Sequence, residues 1–157
     1  MNLIKIRAPE LNDIEVINEI ERDSFPSPWD ESIFFQLTLS HGRFPVDDNA
    51  AVIMRVMTKG KKVIGYIVWE EYYDEFHSHI LNLAVNADNR QLGYGTRLLS
   101  YALESMKAAK LITCELEVRE SNHWARHLYE NAGMIAVDRS VKYYESEDAI
   151  IYALRFD

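Results

Sequence analysis

Apolar and polar positions change their period several times along this chain. Near its start, "LIKIRAP" (3–9) alternates apolar and polar residues and predicts a short strand. The period then lengthens. Leu11, Ile14, Ile17 and Ile20 fall near one helical face, with Asn12 and Asp13 close to the helix start. "FPSPW" ends that helix, because proline cannot continue it. "DESIFFQLTL" predicts a second short helix with Asp30 as its cap. "AAVIMRVMT" and "KVIGYIVWEEYYD" are dense in β-branched and aromatic residues and predict two strands, with "TKGKK" as the hairpin loop between them.

"HSHILNLAV" predicts a further strand. Beyond it, Leu98, Leu99, Ala102, Leu103 and Met106 form an apolar stripe at helical spacing. "LITCELEV" reads as a strand, apolar at Leu111, Ile112, Cys114, Leu116 and Val118. "SNHWARHLYENAG" reads as a helix, with Ser121 as cap and Gly133 at its C-terminal end. "MIAVDRSVKYY" and "DAIIYALRF" predict two closing strands. The order β-α-α-β-β-β-α-β-α-β-β predicts an α/β fold with a mixed sheet and one strand-helix-strand crossover.

No repeat, low-complexity segment or Pro/Gly-rich linker divides the chain, so one domain is expected over residues 1–157. The composition, 48% hydrophobic and 27% charged, is that of an ordinary soluble protein. The net charge of −8 argues against a general nucleic-acid binder. Cys114 is the single cysteine, so no internal disulfide can form. "MNLIKIRAPE" lacks a long apolar core and a cleavage site, and no window approaches an uncharged apolar span. The expectation is a cytoplasmic protein with neither leader nor membrane contact.

The candidate chemistry starts at "LAVNADNRQLGYGTRLL" (83–99), where Gly93 and Gly95 fall between a strand and a helix. A helix N-terminus offers unpaired N–H groups and a positive dipole end, and glycine lets backbone approach an anion closely. Gln91 to Thr96 could therefore hold a pyrophosphate, with Arg90 and Arg97 adding charge. On shape alone, a glycine turn without a ligand is the alternative. Two familiar phosphate loops do not fit. No G-x-x-x-x-G-K-[ST] string exists, and Gly93-Tyr-Gly95-Thr-Arg-Leu98 lacks the third glycine of a dinucleotide fingerprint. His77 and His79 share a strand face, and His123 and His127 a helix face. No cysteine or third histidine joins either pair at convincing spacing, and position 124 is Trp rather than Glu, so no metal site is expected.

Arg90-Gln91-Leu92-Gly93-Tyr94-Gly95 matches the pattern [Q/R]-x-x-G-x-[G/A]. It resembles the coenzyme A pyrophosphate loop of the GNAT acetyltransferases. "LEVRESNHWARHLYENAGM" is similar to that family's second signature, closest to its RimI and N-terminal (Nα) acetyltransferase branch. "SFPSPW" and "YYESEDAIIYAL" resemble the first-helix exit and C-terminal hairpin of the same branch. The resemblance covers nearly the whole chain. It implies a single GNAT domain, with a mostly antiparallel seven-stranded sheet, about four helices and splayed central strands that form the coenzyme slot.

The resemblance also implies roles for residues. Glu117 matches the general base and Tyr129, 12 residues later, the general acid that would protonate the departing sulfur. Leu83, Ala84 and Val85 match the strand that binds the pantetheine arm through its backbone, with the Val85 N–H as oxyanion donor. Arg90, Gln91, Leu92, Gly93, Tyr94, Gly95 and Thr96 match the pyrophosphate loop. Asn122 matches a position that touches coenzyme A. Phe25, Pro26, Tyr143 and Tyr144 match segments that line the acceptor mouth. His79 matches a position where some relatives carry a catalytic tyrosine. From the residues alone, Glu117 reads as an ordinary solvent-facing strand glutamate, His79 as a solvated strand histidine, Asn122 as a helix cap, and Tyr143–Tyr144 as a hairpin pair.

The implied reaction is acetyl transfer from acetyl-CoA to an amine. An α-amine, with pKa about 7.7–8.0, is far more often neutral at pH 7 than a lysine near 10.4. A single carboxylate base suits the α-amine, so a protein or peptide N-terminus is the expected acceptor, with ribosomal proteins among the candidates. Direct transfer in a ternary complex is expected, because Cys114 alternates away from Glu117. A lysine or small-amine acetyltransferase and a non-catalytic acyl-CoA-binding module are the alternatives. A monomer or weak homodimer is expected.

Overall fold

The computed structural model describes residues 3–157. Met1 and Asn2, where the stretch read as lacking a leader begins, lie outside the described residues. The elements are β1 (Ile4–Arg7), α1 (Ile14–Ser24), α2 (Glu31–Leu39), β2 (Arg43–Asp47), β3 (Ala50–Lys59), β4 (Lys62–Tyr72), β5 (His77–Val85), α3 (Tyr94–Ala108), β6 (Thr113–Arg119), α4 (His123–Asn131), β7 (Ile135–Ser140) and β8 (Ala149–Arg155). The sheet runs β1-β3-β4-β5-β6-β8-β7, with β2 paired to β3 beside β1. Only β5 and β6 pair in parallel; α3 is the crossover between them. No helix among the described residues is long and apolar enough to cross a membrane.

Helices cover both faces of the sheet. On one face, Leu98, Leu99, Ala102 and Met106 of α3 and Ala125, Leu128 and Tyr129 of α4 pack on Ile64, Ile67, Leu83, Val85, Leu116 and Val118. On the other, Ile17 and Ile20 of α1 and Phe34 and Leu37 of α2 pack on Met54, Val56, Tyr66, Val68 and Ala84. Each buried aliphatic side chain contributes about 1.5–3 kcal/mol, so the two stripes fix both helix layers. Asp30 caps α2 as its position predicts, accepting from the Ser32 N–H at 2.9 Å.

Several expectations need correction. Leu11 belongs to a single 3-10 turn ahead of α1 and is exposed, not part of the core stripe. Ile112 precedes β6 and is exposed. Asn122, not Ser121, caps α4, its Oδ1 accepting from the Ala125 N–H at 3.2 Å. An eighth strand, β2, escaped the sequence pattern, since all five of its residues are exposed and nothing in it alternates. The strand expected over 134–144 ends at Ser140, and Val141–Asp148 is a turn, so Tyr143 and Tyr144 are not a cross-strand pair.

Two irregularities open the middle of the sheet. Along β4 and β5 the register passes from Trp69↔Ile80 to Val68↔Asn82, so Leu81 is an extra, bulged residue. Along β5 and β6 the pairing stops after His79↔Glu115. Beyond that point β6 pairs only with β8, while β5 stays with β4. A V-shaped gap therefore separates Leu81–Val85 from Leu116–Arg119.

Candidate active site

Strand alternation places the functional side chains around this gap. On β6, Cys114, Leu116 and Val118 point into the core, and Glu115, Glu117 and Arg119 share the half-exposed face. On β5, His79 lies opposite Glu115 and faces the same side. Its Nε2 sits 2.5 Å from Glu117 Oε2, and both side chains are 23% exposed. The hydrogen bond to Glu117 holds the His79 imidazole above its ordinary pKa, against desolvation that pulls it down. His79 is thus the partner of Glu117 rather than a solvated histidine.

A cleft of about 700 Å³ forms over the pair. His79, Leu83, Glu117, Asn122, Tyr129, Phe25, Pro26, Tyr143 and Tyr144 all line it, so the residues matched to base, acid and acceptor mouth are brought together. Tyr129 is buried and lines the first cleft. Burial raises its phenol pKa well above the ordinary value, with the neighbouring Tyr144 adding to the effect. It therefore stays protonated at neutral pH. Cys114 is fully buried, and burial pushes its thiol up to about 12, which leaves no thiolate to act as a nucleophile.

A second cleft of about 520 Å³ lies farther along β5. Val85, Arg90, Gln91, Gly93, Gly95 and Thr96 line it. Gly93 precedes α3 with φ +86, and Gln91 also takes a positive φ of 62. The first N–H groups of α3 have no acceptor within the helix and point towards this space. On β5, Leu83 lines the first cleft and Val85 the second. Asn86 N–H donates to the Ile64 carbonyl at 2.8 Å. The alternation of an antiparallel ladder then turns the N–H groups of Leu83 and Val85 away from β4 and across the gap.

Some predicted contacts lie elsewhere. The Arg90 side chain turns inward, Nε donating to the Val85 carbonyl at 2.9 Å and NH2 to Ser24 Oγ at 3.3 Å. It braces the loop from the wall of the cleft. Ala84 faces the α1–α2 core. Leu92 is exposed, and Tyr94 packs under Lys59, whose Nζ stands 5.8 Å from the ring centre. The histidines divide by role. His77 Nδ1 bonds to Thr113 Oγ1 at 2.7 Å, whereas His123 and His127 stand on the wall of the second cleft.

Glu21 and Trp29 line the first cleft and escaped sequence reasoning. Glu21 is 1% exposed. Its carboxylate accepts from the Tyr66 hydroxyl, from Asn82 Nδ2 at 2.9 and 3.1 Å, and from the Trp29 N–H at 2.9 Å. One charge thus ties the exit of α1 to β4 and to β5 just past the bulge. Trp29 stacks on Phe34 with ring centres 5.5 Å apart, which anchors the far end of the Phe25–Trp29 wall. The signal for Glu21 was faint: a glutamate four residues before the Phe25-Pro26 break, on the same face as Ile17.

Comparison with known proteins gives one consistent picture. The sequence model of the Acetyltransferase (GNAT) family matches residues 14–134. A [ribosomal protein bS18]-alanine N-acetyltransferase of Salmonella typhimurium is 28% identical over 98% of this chain and 97% of its own length. The crystal structure of the ribosomal-protein-S18-alanine N-acetyltransferase from Escherichia coli superposes with a TM-score of 0.80 at 25% identity, covering 98% of this chain and 94% of that one. An Arabidopsis thaliana NAA60 in complex with acetyl-CoA shares the fold, with a TM-score of 0.81 at 18% identity over 98% of this chain and 99% of that one.

Proposed function

Because the chain belongs to the GNAT acetyltransferase family, we propose that it moves the acetyl group of acetyl-CoA onto the N-terminal α-amine of a protein acceptor, with both substrates bound together. The observation that carries this reading is the placing of two clefts in succession along β5. The acceptor-side walls, Phe25–Pro26 and Tyr143–Tyr144, line the first together with the His79–Glu117 pair and Leu83, and the second takes up at Val85, two residues farther along the strand, and includes the glycine loop. The likeness to ribosomal protein S18-alanine acetyltransferases supports a protein acceptor, and a ribosomal protein suits it. An acceptor of that kind implies the cytoplasm as the working compartment.

The chain's own groups account for each step. The N–H groups of Gly93 to Thr96 and the dipole of α3 hold the pyrophosphate. The N–H groups of Leu83 and Val85 face the gap and hold the pantetheine arm. A backbone N–H of this pair would stabilise the charge gained by the thioester oxygen, a role worth several kcal/mol, and Leu83 rather than Val85 lines the cleft that holds Glu117 and Tyr129. The acceptor nitrogen attacks the thioester carbon; the new C–N bond forms as the C–S bond breaks. Glu117 takes the amine proton, directly or through His79, and Tyr129 gives its phenol proton to the departing thiolate. Asn122, already the cap of α4, adds a polar contact beside the arm. Direct transfer fits the inert Cys114.

Mass spectrometry tests the reading. The panel is acetyl-CoA with peptides that begin with Ala, Ser, Met or Glu, each with an internal lysine, and an N-terminally blocked control. Acetyl groups on free α-amines, absent from the control, are the expected result. Acetylation of lysine alone would overturn the α-amine assignment, and acetyl-CoA binding without transfer to any amine would overturn catalysis.

A further inference from the structure

The two walls of the acceptor cleft are held in different ways. The Phe25–Trp29 wall hangs on the buried carboxylate of Glu21. The Tyr143–Tyr144 wall belongs to the turn Val141–Asp148, which carries two residues at positive φ, Lys142 at 53 and Glu145 at 61. Such a backbone persists only where its surroundings hold it. A set of contacts centred on Arg119 and Glu147 does so. The Arg119 guanidinium carbon stands 4.2 Å from the centre of the Tyr144 ring. Arg119 NH1 lies 3.4 Å from Glu147 Oε1. The Glu147 carboxylate also accepts from Ser121 N–H at 3.1 Å and Ser121 Oγ at 2.9 Å, and Tyr144 N–H donates to the Glu147 carbonyl at 3.2 Å.

We infer that Arg119 and Glu147 are positioning residues for the acceptor, acting through Tyr144. Arg119 lies two residues beyond Glu117 on the same strand face, so the residue that fixes the wall is set by the strand that carries the base. The Arg119 and Glu147 side chains are 18% and 25% exposed, so the pair is sheltered enough to hold its geometry. A planar guanidinium can stack on a ring and meet a carboxylate at its edge at the same time. The pairing has a second effect. Arg119 lines the cleft, but its charge is engaged by Glu147, while Glu70, Glu117 and Glu145 also line it.

This inference rests on the acceptor reading above, and its test separates the two. Steady-state kinetics would compare the wild type with Arg119→Met, Glu147→Gln and the double variant, using the best peptide from the panel. Acceptor KM should rise about five- to tenfold in each single variant, the range expected for losing a sheltered cation–π contact. kcat should stay within about twofold, and acetyl-CoA Kd by calorimetry should not move. The double variant should be no worse than the poorer single one, because the two residues act as one unit. Arg119→Lys should recover part of the loss. Unchanged acceptor KM in an active Glu147→Gln, a half-exposed and near-isosteric change that preserves folding, would overturn the positioning role alone. An equal loss of acetyl-CoA affinity would do the same. A wild type that transfers nothing to any peptide would overturn the acceptor reading and this inference with it.

Discussion

His79 Nε2 and Glu117 Oε2 lie 2.5 Å apart although 38 residues separate them in the chain. The parallel register of β5 and β6 brings them together, and the end of that register leaves them at the apex of the gap. The contact favours the protonated imidazole, whose pKa it raises. The base becomes competent when the pair gives up that proton.

Glu117→Gln removes the carboxylate and keeps the shape. kcat should fall by about 10²-fold or more, the usual loss for a general base. Acetyl-CoA Kd should stay level, since neither the glycine loop nor the β5 N–H groups depend on Glu117. The His79 imidazole, without its partner, should titrate lower than in the wild type, which NMR of the ring proton measures. Equal loss of acetyl-CoA binding would contradict the assignment.

The pH dependence follows in sign. His79 has a folded pKa raised above its ordinary value of about 6.5, chiefly by the bond to Glu117. The stability that this bond contributes is complete below the unfolded pKa and disappears as pH rises through the raised folded value. Denaturant midpoints of the wild type and His79→Gln should therefore converge as pH rises above about 6.5 and through the raised folded value. Both groups are partly solvated, so the gap at low pH should be modest. Turnover runs the other way and should rise across the same window, as the pair loses its proton. A midpoint difference that widens with pH would contradict the pairing.

Tyr129→Phe separates chemistry from packing. The substitution removes only the hydroxyl of a residue that lines the first cleft. The ring still packs in the α4 core, with its centre 6.1 Å from that of Tyr152. Tm should stay within about 2 °C while turnover falls roughly 10²-fold. Differential scanning calorimetry and the transfer assay read the two quantities. Full activity would remove Tyr129 as the acid.

Legibility from sequence followed the local physics. Periodicity found α1 to α4 and most of the strands because each buries residues whose spacing is written in the chain; β7, exposed at five of its six residues, was found without such a face. It missed β2 because Pro45 interrupts a fully exposed strand and the register shifts beside it. It placed Tyr143 and Tyr144 in a strand, since aromatic neighbours look like strand residues, whereas Lys142 and Glu145 turn the backbone there. Motif resemblance brought Glu117, Tyr129 and the glycine loop to the gap. It could not pair His79 with Glu117, because that contact depends on where two strands part. Nor could it bury Glu21, whose partners Tyr66, Asn82 and Trp29 lie on three separate elements.

The glycine loop offers a contrast between two adjacent glycines. Gly93 has φ +86, and a Cβ added there would meet nothing within 4 Å. Space in the protein does not forbid a side chain. The cost to folding is the left-handed backbone, about 1–2 kcal/mol for a branched residue. The added bulk would instead stand at the start of α3, in the second cleft, where a phosphate approaches the free N–H groups. Gly95 is different. A Cβ there would come within 3.1 Å of Trp124 Cζ2 and 3.5 Å of Leu128 Cδ2, so it would push α3 and α4 apart. Gly93→Val should therefore lose acetyl-CoA affinity by at least about tenfold while it remains folded. Gly95→Val should lose stability first, by about 1–3 kcal/mol of overpacking. Calorimetric titration and denaturant unfolding, run on both variants, distinguish the two modes. Normal acetyl-CoA binding by a folded Gly93→Val would place the phosphates away from this loop.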